Sequence, residues 1–318
     1  MDRGLRDLIR FFRTPRAPWP AHVRVEPRAP APLASGAAAV LTFVGHSTFV
    51  VRTADATLLT DPVYARRASP VSWAGPKRVR PPGVPFELLP PLDVVLVSHN
   101  HYDHLDLPTL RRINARFQPL FVTAAGNGRL LGSAGLTRIV ELDWWETATV
   151  GAAQITMTPA RHFSARTPFD RNRALWGSFV VRTPAVCVYF AADSGYGPHF
   201  REIAARLGAP DAALLPIGAY EPRWFMQPIH MNPEEAVRAH LDLGARLSVA
   251  MHFGTFQLTP EPIDAPVAAL RAVLDARGIP PETFRAPEFG ESIQVGASRR
   301  STIERPFEAS CSDPSNDG

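Results

Sequence analysis

Val94-Val-Leu-Val-Ser-His-Asn-His-Tyr-Asp-His-Leu-Asp106 is the stretch on which the reading of this chain turns. Its first four residues are an apolar, mostly β-branched run, the pattern of a short strand buried on both faces. That strand runs directly into three histidines and two aspartates between His99 and Asp106. One histidine in such a setting is more often structural. His99, His101, Asp103 and His104 together present too many donors and acceptors to be satisfied in a core without a cation. Imidazole and carboxylate are the ligands of borderline ions such as zinc, and a strand end mounts them rigidly. His99 and His101 point to a different place from Asp103 and His104, so one tetrahedral ion cannot take all four. Two neighbouring ions resolve the conflict. They require further ligands, and other strand ends supply them: His162 after 154–158, Asp193 after 186–192, and His252 after 247–251.

Outside this segment the composition is that of an ordinary globular protein of one large or two small domains. Of 318 residues, 45% are hydrophobic and 20% charged, with a net charge of +4, which excludes disordered, collagen-like and coiled-coil classes. Apolar runs such as 94–97 and 37–41 fall far short of the roughly 20 residues that span a bilayer. The 33 prolines gather in the first 35 residues and at 62–91, 210–233 and 259–287, which predicts long, stiff loops around a core. The basic residues are 33 arginines and one lysine, Lys77, spread along the chain rather than focused. No nucleic-acid partner is therefore expected, and a basic nucleic-acid-binding protein stands only as the non-enzyme alternative. Cys187 and Cys311 cannot build a disulfide framework, and free thiols fit a reducing, cytoplasmic setting.

Strands are predicted at 39–44, 48–53, 93–98, 119–123, 154–158, 178–182, 186–191, 212–216 and 247–251. Helices are predicted at 107–116, 198–207, 232–243 and 264–277. Asn232 is placed to cap the third helix, with Pro233 in its first turn, and Gly278 to stop the fourth. Three zones follow: an Arg/Pro-rich segment 1–37, a folded domain 38–296 and a disordered tail 297–318. In the first zone Leu5, Leu8, Ile9 and Phe12 form one stripe flanked by Arg3, Arg6, Arg10 and Arg13. That is an interfacial-helix pattern, which Pro15, Pro18 and Pro20 are expected to decouple from the domain; the alternative is that the stripe packs on it. Trp73, Trp176 and Trp224 are expected in the core or lining a pocket, and Trp144 and Trp145 in the core, with a surface wedge beside Glu141 and Asp143 as the alternative.

His-Asn-His-Tyr-Asp-His at 99–104 matches the H-x-H-x-D-H signature, and with it the chain resembles the metallo-β-lactamase superfamily. Further motifs resemble its N-acyl-phosphatidylethanolamine-hydrolysing phospholipase D branch. They are Phe43-Val-Gly-His-Ser-Thr48, Leu59-Thr-Asp-Pro-Val63, the stretch 67–82, Phe169-Asp-Arg-Asn172 with Leu175-Trp-Gly-Ser178, Phe190-Ala-Ala-Asp-Ser-Gly-Tyr196, the run 215–226, His230 with 233–236, and Met251-His-Phe-Gly-Thr-Phe256. The resemblance covers 38–296. It implies a four-layer αββα sandwich of the α/β (α+β) class with two Zn²⁺ per chain. His99, His101 and His162 would hold one ion, Asp103, His104 and His252 the other, and Asp193 would bridge them.

Such a centre lowers the pKa of a shared water and so supplies a bridging hydroxide near neutral pH. The expected activity is a phospholipase D-type phosphodiesterase acting on N-acyl-phosphatidylethanolamine or a related phospholipid. The alternative is hydrolysis of a soluble ester, lactone or phosphoester. Asp103 is a candidate proton acceptor. His230, in Gln227-Pro-Ile-His230, is a candidate contact to the phosphate or leaving group, against a purely structural role at the start of the next helix. Arg161 and Arg171 are candidate phosphate contacts, and His46 and Asp61 candidate supports for the ligands. A dimer is expected, as is a peripheral contact with the inner face of a membrane.

Overall fold

A computed structural model describes residues 4–297. The first part of the chain forms α1 (Leu5–Phe12), β1 (Ala37–Gly45), β2 (Thr48–Thr53), β3 (Thr57–Thr60), β4 (Val94–Val97), α2 (Leu107–Phe117), β5 (Leu120–Ala124), α3 (Gly128–Ser133) and β6 (Ile139–Leu142). Next come β7 (Thr147–Val150), β8 (Ala153–Thr158), β9 (Ser178–Arg182), β10 (Cys187–Phe190), α4 (His199–Leu207), β11 (Ala212–Pro216), α5 (Arg223–Met226), α6 (Pro233–Leu243), β12 (Leu247–Met251), α7 (Ala265–Arg277), β13 (Phe284–Arg285) and β14 (Ser292–Gly296).

Two seven-stranded sheets result, in the orders β14-β1-β2-β3-β4-β5-β6 and β13-β12-β11-β10-β9-β8-β7. Period-two alternation assigns the faces of the first sheet. Val94 and Leu96 of β4, Phe49 and Val51 of β2 and Leu58 of β3 join the core shared with the second sheet. Val95, Val97, Val50 and Leu59 point the other way, onto Leu110 and Ile113 of α2 and Leu131 of α3. Phe200 of α4, Val237 and Leu243 of α6 and Leu270 of α7 pack with the second sheet. The order of layers is therefore helix, sheet, sheet, helix, as expected for the αββα class. Asn232 caps α6 in a reciprocal box: its side chain accepts from Glu235 N at 2.9 Å, while the Glu235 carboxylate accepts from Asn232 N at 3.2 Å. Gly278, at φ 62°, ends α7 in the left-handed conformation that glycine adopts without penalty.

Several elements escape the sequence pattern. β3, β6, β7, β13 and β14 are only two to five residues long, and α3 and α5 are six and four. The prolines at 15, 18 and 20 do not set the N-terminal segment free. They keep it extended, and the backbone between and beyond them bonds to the domain: Ala17 N to Pro260 O, Val23 N to Val79 O and Arg28 N to Gly83 O, at 2.8–2.9 Å. Trp73 neither joins the core nor lines the site; it is 77% exposed. Trp144 and Trp145 are half-buried against the core. Cys187 is buried in β10. The tail 298–318, with Cys311, and Arg3 lie outside the described residues. Among the described residues, no helix is long and apolar enough to cross a membrane.

Candidate metal centre

The centre is assembled where strands end. His99 to His104 follow β4 of the first sheet, whereas His162, Asp193 and His252 follow β8, β10 and β12 of the second. His46, Asp61, Ala192 and His252, each just beyond a strand, take φ between 31° and 58°. Left-handed backbone at non-glycine positions is strain that persists only where surrounding structure enforces it, and His46, Asp61 and His252 all belong to the clustered groups while Ala192 precedes Asp193. Gly195 serves close approach instead: a Cβ there would meet Pro228 O at 2.4 Å and Gln227 O at 2.9 Å, so only glycine lets the loop before His230 pack this closely, two residues beyond Asp193.

All seven expected ligands converge. His101 Nδ1 lies 2.9 Å from His99 Nε2 and 3.1 Å from His162 Nε2. Three imidazoles on a tetrahedral zinc would have nitrogens about 3.3 Å apart, so the spacing suits one ion. His104 Nε2 is 3.6 Å and His252 Nε2 3.5 Å from Asp103 Oδ2, which makes a second set. Asp193 divides its oxygens, Oδ2 facing His104 Nε2 at 3.1 Å and His162 Nε2 at 3.8 Å while Oδ1 faces His252 Nε2 at 3.2 Å. His104 Nε2, His252 Nε2 and Asp193 Oδ1 are buried and make no hydrogen bond. Buried polar atoms are rarely left so, and a cation between them would satisfy all three. The residues present thus fit metal ions.

Proton affinities divide the histidines. Burial, reinforced by neighbouring imidazoles, holds His99 well below its ordinary value of 6.5. Burial lowers His101 to about 4 and His162 to about 3, so all three are neutral and ready to ligate at neutral pH. Burial also opposes charge on His104 and His252, yet Asp193 and Asp103 outweigh it: His104 is held well above 6.5 and His252 is raised to about 9. Burial likewise disfavours ionised Asp103 and Asp193, but the surrounding imidazoles, His104 foremost, keep both carboxyls well below the usual range.

His46 and Asp61 take the supporting positions expected of them. His46 Nε2 lies 3.1 Å from Asp103 Oδ2, within the cluster that contains His104 and His252. Asp61 Oδ2 accepts from His104 Nδ1 at 2.7 Å and from Ser98 Oγ at 2.5 Å; Ser98 Oγ in turn contacts His99 Nδ1 at 2.8 Å. Burial raises the Asp61 carboxyl, and these partners pull it back. His230 is only 6% exposed, with its ring 5.1 Å from that of His162 and Nε2 3.8 Å from Asp193 Oδ2. Burial lowers it to about 3. Beside His162 opens a cavity of about 440 Å³, lined in part by Arg161, Phe163, Arg171, Trp176, Phe225 and Ile229. Both expected arginines thus border it: Arg161 Nη1 donates to Tyr196 O at 2.6 Å, and the Arg171 guanidinium lies 4.1 Å over Phe163.

Sequence reasoning missed Arg166. Its Nη1 donates to Asn100 O at 2.8 Å and Leu105 O at 2.9 Å, one carbonyl on either side of His101–His104, and its guanidinium covers the Tyr102 ring at 3.9 Å. No local pattern marks it, because its partners lie more than 60 residues away.

A family model described as "Beta-lactamase superfamily domain" matches residues 56–253. The chain belongs to the metallo-β-lactamase superfamily. N-acyl-phosphatidylethanolamine-hydrolyzing phospholipase D 1 of Caenorhabditis elegans is 39% identical over 263 residues, 79% of this chain and 74% of that protein. Within the superfamily the chain therefore falls in that phospholipase's branch. A Mycobacterium tuberculosis protein is 42% identical over 284 residues, 86% of this chain and 75% of that one. A possible metal-dependent hydrolase from Veillonella parvula shares the fold, with a TM-score of 0.67 at 17% identity over 81% of this chain and 100% of that chain. As a member of this metallo-β-lactamase family, the protein is a metal-dependent hydrolase.

Proposed function

We propose that the protein is a dizinc phosphodiesterase of the phospholipase D type, cleaving N-acyl-phosphatidylethanolamine or a related phospholipid. The observation that carries this reading is the cavity beside His162: apolar along Phe163, Trp176, Phe225 and Ile229, yet bordered by Arg161 and Arg171. Its shape and chemistry suit an amphiphile with a phosphate at the metal end. When bound, the ions would lower the pKa of a water and neutralise charge on the phosphate. His99, His101 and His162 would hold one and Asp103, His104 and His252 the other, with Asp193 between the two sets. Asp103, held ionised by its imidazole neighbours, is a poor base and serves better as a ligand than as the proton acceptor expected from sequence. His230 is neutral and its Nε2 faces Asp193 Oδ2 at 3.8 Å, so its ring can donate a hydrogen bond to the leaving oxygen of a substrate held at the centre.

A peripheral membrane contact belongs to the same proposal. Ile9 and Phe12 of α1 are 47% and 70% exposed beside Arg6, Arg10 and Arg13, a face suited to anionic phospholipid. Co-sedimentation with phosphatidylglycerol vesicles, lost in an Ile9→Ser/Phe12→Ser variant, is the expected outcome; equal sedimentation of both proteins would count against it. For the activity, metal-replete protein should release phosphatidic acid from N-acyl-phosphatidylethanolamine in mixed micelles. Chelation and Asp193→Asn should each abolish release. A panel of such lipids left uncut would overturn the substrate assignment.

A further inference from the structure

Among the described side chains of α1, Phe11 is the buried one, its ring stacked on Phe225 with centroids 4.7 Å apart and planes at 25°. The Arg10 guanidinium lies 4.3 Å over the Trp224 ring. Leu8, three residues before Phe11, reaches the cavity that His162 borders. Phe225 therefore has two roles, lining the cavity and carrying the helix. Behind α1 the chain is pinned to the domain, with Ala17 N donating to Pro260 O at 2.9 Å and Gln257 Nε2 to Ala17 O at 2.7 Å. A short helix near the start of the chain thus closes a cavity whose other walls belong to the sandwich. The closure is thin, since Leu8 remains 39% exposed.

We propose that α1 is a built-in wall of the substrate cavity. Leu8 limits the length of apolar chain accepted beside the metal centre, and the Phe11–Phe225 stack holds the wall in place. The inference rests on the phospholipid reading above for the identity of that chain. Physically, each methylene that enters the cavity leaves water, while one that meets Leu8 does not. Affinity should therefore rise by about fourfold per methylene and stop rising once the chain reaches the wall. A bulkier side chain at position 8 brings that limit closer. A smaller one admits a longer chain. Loosening the stack lets the wall yield.

The test is calorimetric binding of n-alkyl phosphates, from hexyl to tetradecyl, to the zinc-loaded full chain. Wild type should gain about fourfold per methylene up to a plateau. Leu8→Trp should reach its plateau at a shorter chain and Leu8→Ala at a longer one. Phe11→Ala, by letting the wall yield, should move the plateau to longer chains, as Leu8→Ala does. Leu8 lies outside the two-sheet core, and the paired opposite shifts of its two variants cannot arise from a general loss of folding. Superimposable profiles for wild type and both Leu8 variants would overturn the inference, as would a wild-type profile that does not depend on chain length. Failure of the phospholipid reading is separable: wild type would leave N-acyl-phosphatidylethanolamine uncut while the alkyl phosphate profiles still shift.

Discussion

Asp61→Asn exchanges one buried carboxylate oxygen for an amide without changing shape. Asp61 Oδ1 accepts from Ser98 N at 2.8 Å, a bond the asparagine oxygen can keep. In place of Oδ2, which accepts from Ser98 Oγ and His104 Nδ1, the variant presents an NH₂ group. Ser98 Oγ can rotate and accept from it, and can still accept from His99 Nδ1, so the first ligand set is little disturbed. His104 has no such freedom. Its Nδ1 must present a lone pair, which moves the proton to Nε2, the atom 3.1 Å from Asp193 Oδ2 that would ligate the second ion. Removing the partner of a ligating histidine weakens metal affinity by roughly 10–100-fold, or about 1.4–2.7 kcal/mol. Chelator competition on the variant should therefore resolve two classes of zinc, one near wild-type affinity and one weaker by that factor. A thermal melt of the metal-free variant checks that the fold is intact. Two ions bound as tightly as in wild type would refute the tautomer argument, and loss of the tighter ion alone would reverse the assignment of His104.

Other outcomes follow from the same geometry. His230→Asn should lower kcat by roughly 10²–10⁴-fold while leaving zinc stoichiometry at the wild-type value, if the ring acts on the leaving group and not as a ligand; loss of an ion would instead make it a ligand. Arg166→Lys keeps the charge but cannot serve both Asn100 O and Leu105 O from one planar group, so the visible spectrum of the cobalt-substituted protein should change. An unchanged spectrum would deny Arg166 its hold on the ligand loop. The metal-free protein should be most stable near pH 6.5. Above it, His104 and His252, whose folded pKa values are raised, lose their stabilising protons as the pH climbs through their folded values, about 9 for His252. Below it, His46, His101, His162 and His230, lowered to about 3–4 in the fold, stay neutral while the unfolded chain takes up protons. A melting temperature that rose steadily from pH 6 to pH 9 would contradict this balance.

The candidate ligands were legible because metal chemistry needs particular side chains and strand ends are where a sheet can offer them. His99, His162, Asp193 and His252 each follow an apolar run, and that local signal survives without knowledge of which strands pair. Asp61 and His46 were legible as candidate supports through the motifs of the first hairpin. Arg166 was not: among 33 arginines it stands out only through carbonyls contributed by a distant loop. The stripe on α1 could be read, but its orientation could not, because Phe225, more than 200 residues further on, decides which side is buried. β6 and β7, four residues each with exposed positions, carry too little apolar pattern to announce a strand, and pairing in the sheets supplies what local preference does not. Trp73 shows the reverse error, since an aromatic in a motif promised burial that no neighbouring element provides.

In the proposed reaction, water attacks phosphorus in a phospholipid at a dinuclear centre built from His99, His101, Asp103, His104, His162, Asp193 and His252. Product mass spectrometry in H₂¹⁸O, with zinc-loaded protein and N-acyl-phosphatidylethanolamine, tests it most directly. Attack at phosphorus gives phosphatidic acid with one ¹⁸O on its phosphate and an unlabelled N-acylethanolamine, both lost in Asp193→Asn. Labelled fatty acid with the phosphodiester intact would mean attack at a carbonyl and would contradict it.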